Sequence, residues 1–149
     1  MQMIEYKNKN KFDNDFIYSN QWISLTNKTT LNEKINIGAQ LDKKASGGQI
    51  SHINVQSNFK NFEQAWDLTN HIANKGLIYF AYNSKINVCE DGHGFNPITD
   101  VGLENNICHC GKPMIDQFSK VVGFLTPRSA YSKERKKEFD NRQWFNLIE

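Results

Sequence analysis

The chain has little of what several function classes require. It carries only 3 cysteines in 149 residues, too few and odd in number for a disulfide framework. No apolar run reaches the ~18–20 residues that span a bilayer. The start, Met1-Gln2-Met3-Ile4-Glu5-Tyr6-Lys7, lacks the apolar core of a secretion signal. An excess of charge of one sign is missing too: 18 basic residues face 16 acidic ones, which leaves no field to gather nucleic acid or an anionic membrane. Internal repeats and low-complexity tracts are absent. The expectation is a cytoplasmic protein with no membrane and no direct nucleic-acid partner, of a length suited to one modest core.

What is present reads as α/β. Residues 1–17 are polar and poor in periodicity, as in a loose arm. Thr30 followed by Glu33 matches a capping box, and Leu31, Ile35, Gly38 and Ala39 recur at helical spacing, so a helix is expected over 30–42, weakened by Gly38. Gly47-Gly48 breaks the chain, and Gln49 to Val55 then reads as a strand with Ile53 and Val55 on one face. Asn61 can cap a second helix carrying a stripe of Phe62, Trp66, Thr69 and Ala73, which Gly76 stops. Leu77 to Tyr82 is an almost continuous apolar run, the pattern of a strand covered on both faces. Strand, helix, strand with short joints predicts a parallel pair bridged by a crossover helix. Two strands leave open edges and wet apolar surface, so the unit calls for a partner.

The second half carries the chemistry. Cys89, His93, Cys108 and Cys110 are the metal candidates, because thiolate and imidazole are the donors zinc prefers and two close pairs can close a tetrahedron. Whether Cys110 or His109 binds with Cys108 stays open, and reduced cysteines without a metal are the plain alternative. Glycines at 92, 94 and 111 suit backbone amides that turn toward sulfur. Gly123, inside Val121-Val122-Gly123-Phe124-Leu125-Thr126-Pro127, also has two readings. It is turn chemistry before a proline, or it is a Cα that must be approached closely or must react. Ser132 to about Asn146 reads as a charged, capped helix suited to docking, with Phe139, Trp144 and Phe145 as a short apolar stripe. His52 and His71 are read as structural, and Asn83 as a candidate polar contact in an active site.

The run VVGFLTPRSAYSKERKKEF resembles the glycyl-radical segment of class III (anaerobic) ribonucleoside-triphosphate reductase. Upstream, the segments beginning Gly47-Gly48-Gln49-Ile50-Ser51-His52, Phe62-Glu63-Gln64-Ala65-Trp66 and Tyr79-Phe80-Ala81-Tyr82-Asn83 resemble the same enzyme's C-terminal region in the same order. The likeness covers about 18 to 146, and several segments in order are more specific than any one. It implies a ten-stranded α/β barrel, with 18–88 as its C-terminal part and 89–149 as zinc knuckle, radical loop and C-terminal helix. It implies Gly123 as the radical site, structural zinc, and an iron–sulfur activase that uses S-adenosylmethionine. In this reading Val122 and Phe124 shield the loop, Thr126-Pro127 fixes its exit, and the knuckle tethers its entrance. The family's knuckle usually has two Cys-x-x-Cys pairs, from which Cys89-x-x-x-His93 and Cys108-His109-Cys110 both depart.

The family's thiyl cysteine lies upstream of the matched region, and all three cysteines here sit in the knuckle. The expected function is therefore a C-terminal subunit or split half of the reductase. It would store the radical while a larger chain supplies the thiyl cysteine, the rest of the barrel and the site for ribonucleoside triphosphates. A spare part that repairs an oxygen-cleaved reductase, and a radical-free zinc-binding interaction module, are the alternatives.

Overall fold

The computed structural model describes residues 21–47, 49–96, 106–120 and 123–147. The expected arm at 1–17, Gly48, Val121 and Val122 lie outside these. No helix among the described residues is long and apolar enough to cross a membrane.

Helix α1 (Leu31–Asp42) begins as its sequence demands. Thr30 Oγ1 accepts the Glu33 amide at 3.2 Å while Glu33 Oε2 accepts the Thr30 amide at 2.8 Å, so two otherwise orphaned donors are satisfied reciprocally. Gly38 looked like a weak point, yet a Cβ there would stand 2.8 Å from Leu77 Cδ1. The glycine lets α1 lie close against the chain entering β2. Strands β1 (Ile50–Asn54) and β2 (Tyr79–Asn83) are parallel, in register from Ile50 opposite Tyr79 to Asn54 opposite Asn83. Between them runs α2 (Phe62–Lys75), capped by Asn61 Oδ1 on the Gln64 amide at 2.9 Å and stopped by Gly76 at φ +90°. The expected crossover unit is present.

Its core gathers Ile35 and Ala39 of α1, Ile53 of β1, Ile72 of α2, and Leu77. Asp42 ties this unit together from a buried position. Its carboxylate accepts Trp22 Nε1–H at 2.7 Å and the Ile78 amide at 3.0 Å.

Three expectations need correction here. The stripe of α2 that packs is Leu68, Thr69 and Ile72; Phe62 and Trp66 are 72% and 54% exposed and stack on each other at 5.9 Å. Two apolar stripes share this helix, and periodicity alone does not choose between them. Strand β2 is not covered on both faces by the described residues, since Tyr79 is exposed and Phe80, Ala81 and Tyr82 are only half-buried. Helix α3 (Lys133–Asp140) starts at its Ser132 cap but ends before the expected Asn146. Residues beyond it turn back and pair with backbone: Gln143 N–H donates to Leu25 O at 2.6 Å, Phe145 N–H to Asn54 O at 2.8 Å, and Gln56 N–H to Phe145 O at 2.9 Å. Satisfying the outer edge of β1 outweighs two more turns of helix.

The second half contains a sheet that the sequence reading did not anticipate. Strands β3 (Ile86–Cys89), β4 (Gly94–Phe95), β5 (Met114–Lys120) and β6 (Leu125–Pro127) form an antiparallel sheet in the order β4-β3-β5-β6. A short 3-10 turn, Arg128–Ala130, joins β6 to the segment before α3.

Candidate functional site

The metal candidates lie on two turns of the same design. In the first, the Cys89 amide donates to His93 O at 3.2 Å and the Gly92 amide to Cys89 O at 2.9 Å. In the second, the Cys108 amide donates to Lys112 O and the Gly111 amide to Cys108 O, both at 2.8 Å. Each turn needs its third residue after the cysteine in the left-handed region, and glycine stands there in both, at φ +78° for Gly92 and +82° for Gly111. Gly94 is different: it has no left-handed φ, and a Cβ on it would sit 3.2 Å from Ile86. The repeated Cys-x-x-Gly was the signal that could have paired the two turns from sequence.

These turns bring Cys89, His93, Cys108 and Cys110 together, with one donor atom from each within 4.8 Å of all the others. Cys89 Sγ and Cys110 Sγ are 3.7 Å apart, and Cys108 Sγ and His93 Nδ1 3.8 Å. A tetrahedron with zinc–sulfur bonds of ~2.3 Å has sulfur–sulfur edges of about 3.7 Å, so the donor set fits zinc in chemistry and in size. Burial pushes the Cys89 thiol up, but the amides of His93 and Asp91, with the thiols of Cys108 and Cys110, outweigh it and bring Cys89 down to about 7. Burial pushes the Cys108 thiol above its ordinary value. His109 lies beside the cluster, with Nδ1 3.4 Å from Cys108 Sγ and its ring 4.8 Å from that of His93.

The second feature is the turn between β5 and β6. Lys120 pairs with Leu125, and Gly123, in the short connection between these strands, is exposed. A Cβ on Gly123 would meet nothing within 4 Å, and its φ is not left-handed. Gly47 is the other described glycine free of both restraints. Phe124, expected to shield the loop, is 81% exposed among the described residues, and Leu125 beside it is 52% exposed. Thr126 and Pro127 pair with Ser119 and Phe118 of β5, the strand that leaves the second metal turn. The loop is therefore held at both ends and open at its tip.

His52 and His71 are not brought to either feature. His52 is buried with its backbone amide donated to Gln21 Oε1, and His71 Nε2 meets Asn32 Oδ1 at 3.0 Å. Asn83 does not offer a polar contact to an open site, because its carboxamide is spent inside the chain: Oδ1 accepts Ser119 Oγ–H at 3.0 Å and the Lys120 amide at 2.9 Å.

A parallel strand pair, a three-thiol, one-imidazole cluster and a glycine-tipped hairpin on one chain set the frame for comparison. The family model of anaerobic ribonucleoside-triphosphate reductase matches residues 2–145. The chain belongs to the anaerobic ribonucleoside-triphosphate reductase family. A solved anaerobic ribonucleotide reductase is 42% identical over 87% of this chain and 20% of its own, with a TM-score of 0.74. The Thermotoga maritima enzyme with glycerol in its active site is 39% identical over 92% of this chain and 21% of its own, at TM-score 0.69. The same organism's enzyme in complex with dATP and CTP is 37% identical over 93% and 22%, at TM-score 0.66. No curated protein sequence matches the chain. The 149 residues thus span about a fifth of the length of these solved reductases.

Proposed function

We propose that this chain is the radical-storing C-terminal part of an anaerobic ribonucleotide reductase, with Gly123 as the residue that holds the unpaired electron. One observation carries the reading. Neither packing nor backbone conformation requires glycine at 123, since a side chain there would meet open space and φ is not left-handed. Chemistry at Cα accounts for it: loss of a hydrogen atom leaves a radical shared between the adjoining amide and carbonyl, and only a residue without Cβ flattens there freely.

The activase supplies a deoxyadenosyl radical, which removes one hydrogen atom from Gly123 Cα. In turnover the glycyl Cα takes a hydrogen atom from a thiol, leaving a thiyl that abstracts the ribose 3′ hydrogen, and yields its own hydrogen back afterwards. All three cysteines of this chain belong to the metal cluster, so the thiol comes from polypeptide beyond these residues. We assign it, the rest of the barrel and the ribonucleoside triphosphate site to a larger partner chain. The exposed Phe124 and Leu125 then face that barrel's interior and exclude water around the tip. Zinc held by Cys89, His93, Cys108 and Cys110 is structural, because four protein donors leave no position for substrate. The two metal turns stiffen the start of β5.

Oxygen exposure tests the assignment. After anoxic activation with partner and activase, air should cut the chain at Gly123, through a peroxyl on Cα, and mass spectrometry should find both fragments. Gly123→Ala should stay intact under the same treatment. An uncut wild-type chain after confirmed activation overturns the reading.

A further inference from the structure

We infer that Asn83 and Arg142 are positioning residues that fix the Gly123 tip relative to the parallel pair, acting through Ser119 and Lys120. The inference rests on the reading of Gly123 given above.

The parallel pair and the antiparallel sheet share no strand ladder, and their apolar clusters are separate. What joins them near the tip is polar and buried. Ser119, Asn83, Asn54 and Arg142 are between 0% and 3% exposed. From β2, Asn83 Oδ1 accepts Ser119 Oγ–H and the Lys120 amide, while its Nδ2 donates to Asn54 Oδ1 on β1 at 2.8 Å. From the C-terminal tail, Arg142 Nη1 donates to Ser119 Oγ at 3.1 Å and to Lys120 O at 3.2 Å. Glu138 holds that guanidinium in place through Nε at 2.6 Å and Nη2 at 3.1 Å. Tyr131 OH donates to Ser119 O at 3.2 Å. Both backbone polar groups of Lys120, and the hydroxyl and carbonyl of Ser119, are thus held by Asn83, Arg142 and Tyr131.

Ser119 and Lys120 are the last residues of β5 before the tip, and Lys120 stands opposite Leu125 in the ladder with β6. Any shift at this node is transmitted through a short loop to Gly123. Hydrogen atom transfer demands near-contact between Cα and its partner, so a small misplacement there has a large cost in rate. A buried hydrogen-bond network suits this task better than apolar packing, because it specifies one arrangement with directional bonds.

Two variants test the clamp: Ser119→Ala, near-isosteric and lacking the shared hydroxyl, and Arg142→Lys, which keeps the charge beside Glu138 but loses the fork. Amide exchange of the whole chain should speed up at Lys120 and Leu125 by on the order of tenfold, with Ile53 and Ile72 unchanged. In the activated assembly, radical occupancy should match wild type while turnover per radical falls on the order of tenfold, a split that simple loss of fold does not produce. Unchanged exchange at the hairpin in both variants overturns the inference. So does exchange that rises equally at Ile53 and Ile72, since the node would then be a general stabiliser. Absence of any radical in the wild-type assembly sinks the Gly123 reading instead, and the exchange measurement still judges the clamp.

Discussion

The parallel half of the chain and the antiparallel sheet solve the same problem with different materials. In the first, Ile35, Ile53, Ile72 and Leu77 from successive elements close a dry aliphatic cluster. In the second, the interior is Cys89, Cys108 and Phe95 with Met114 against them, and two of those are candidate ligands. Apolar burial scales with area, and the sheet has little of it. Its fold therefore leans on whatever draws the thiols and imidazole together, whereas the parallel half leans on oil. The difference has a mechanical consequence, because the glycine hairpin hangs from the sheet that carries the candidate ligands.

Breaking each half separately sharpens that contrast. The largest effect should come from chelation or from Cys108→Ser. Binding a structural zinc is worth ~10–16 kcal/mol in small domains, so residues 86–120 should become protease-sensitive and exchange freely while β1 and α2 keep their protection. Protection that persists in the sheet after the metal is stripped would show that strand pairing suffices. Ile53→Ala should do the converse. Ile53 is 1% exposed, and its truncation should cost about 2–5 kcal/mol of thermal stability in the parallel half, with cobalt(II) still taken up by the thiols. Loss of both together would mean one cooperative unit.

Lys34 offers a pH-dependent probe of the parallel half. Burial lowers its ammonium to about 8, and it has no acidic partner among the described residues. An unfolded lysine binds its proton up to about 10.4, so between these values the unfolded state holds more protons and stability should rise as pH rises. Below about 8 the penalty is constant. Lys34→Met should therefore stabilise at neutral pH by up to about 3 kcal/mol and abolish that slope, as read from denaturant melts at stepped pH. The smallest effect belongs to the α1 cap: Thr30→Ala should cost about 1 kcal/mol, confined to the parallel half.

How much of this was legible in the sequence follows the same division. Local, reciprocal signals read correctly: Thr30 with Glu33, Asn61 with Gln64, and Gly76 all stand where expected, because capping chemistry involves neighbours in the chain. The parallel crossover followed from alternation of pattern, and the cysteine and histidine spacings picked out the four donors that converge. Long-range choices did not read. Nothing local says that Leu68 and Ile72 win over Phe62 and Trp66, or that Phe145 pairs with Val55 instead of extending a helix. The antiparallel sheet was hidden because its strands are short and its residues half-polar, with Asn87 buried and Ile115 exposed. Asn83 was noticed for the wrong reason, since its side-chain contacts are to residues 29 to 37 positions away.

The central claim is that the Cα of Gly123 stores an odd electron, and electron paramagnetic resonance of the activated, anoxic assembly tests it most directly. The account predicts a carbon-centred doublet that collapses toward a single line when the chain is made with α-deuterated glycine, and that vanishes in Gly123→Ala. A signal that survives Gly123→Ala, or no carbon-centred signal from a fully assembled and activated wild-type protein, would contradict it.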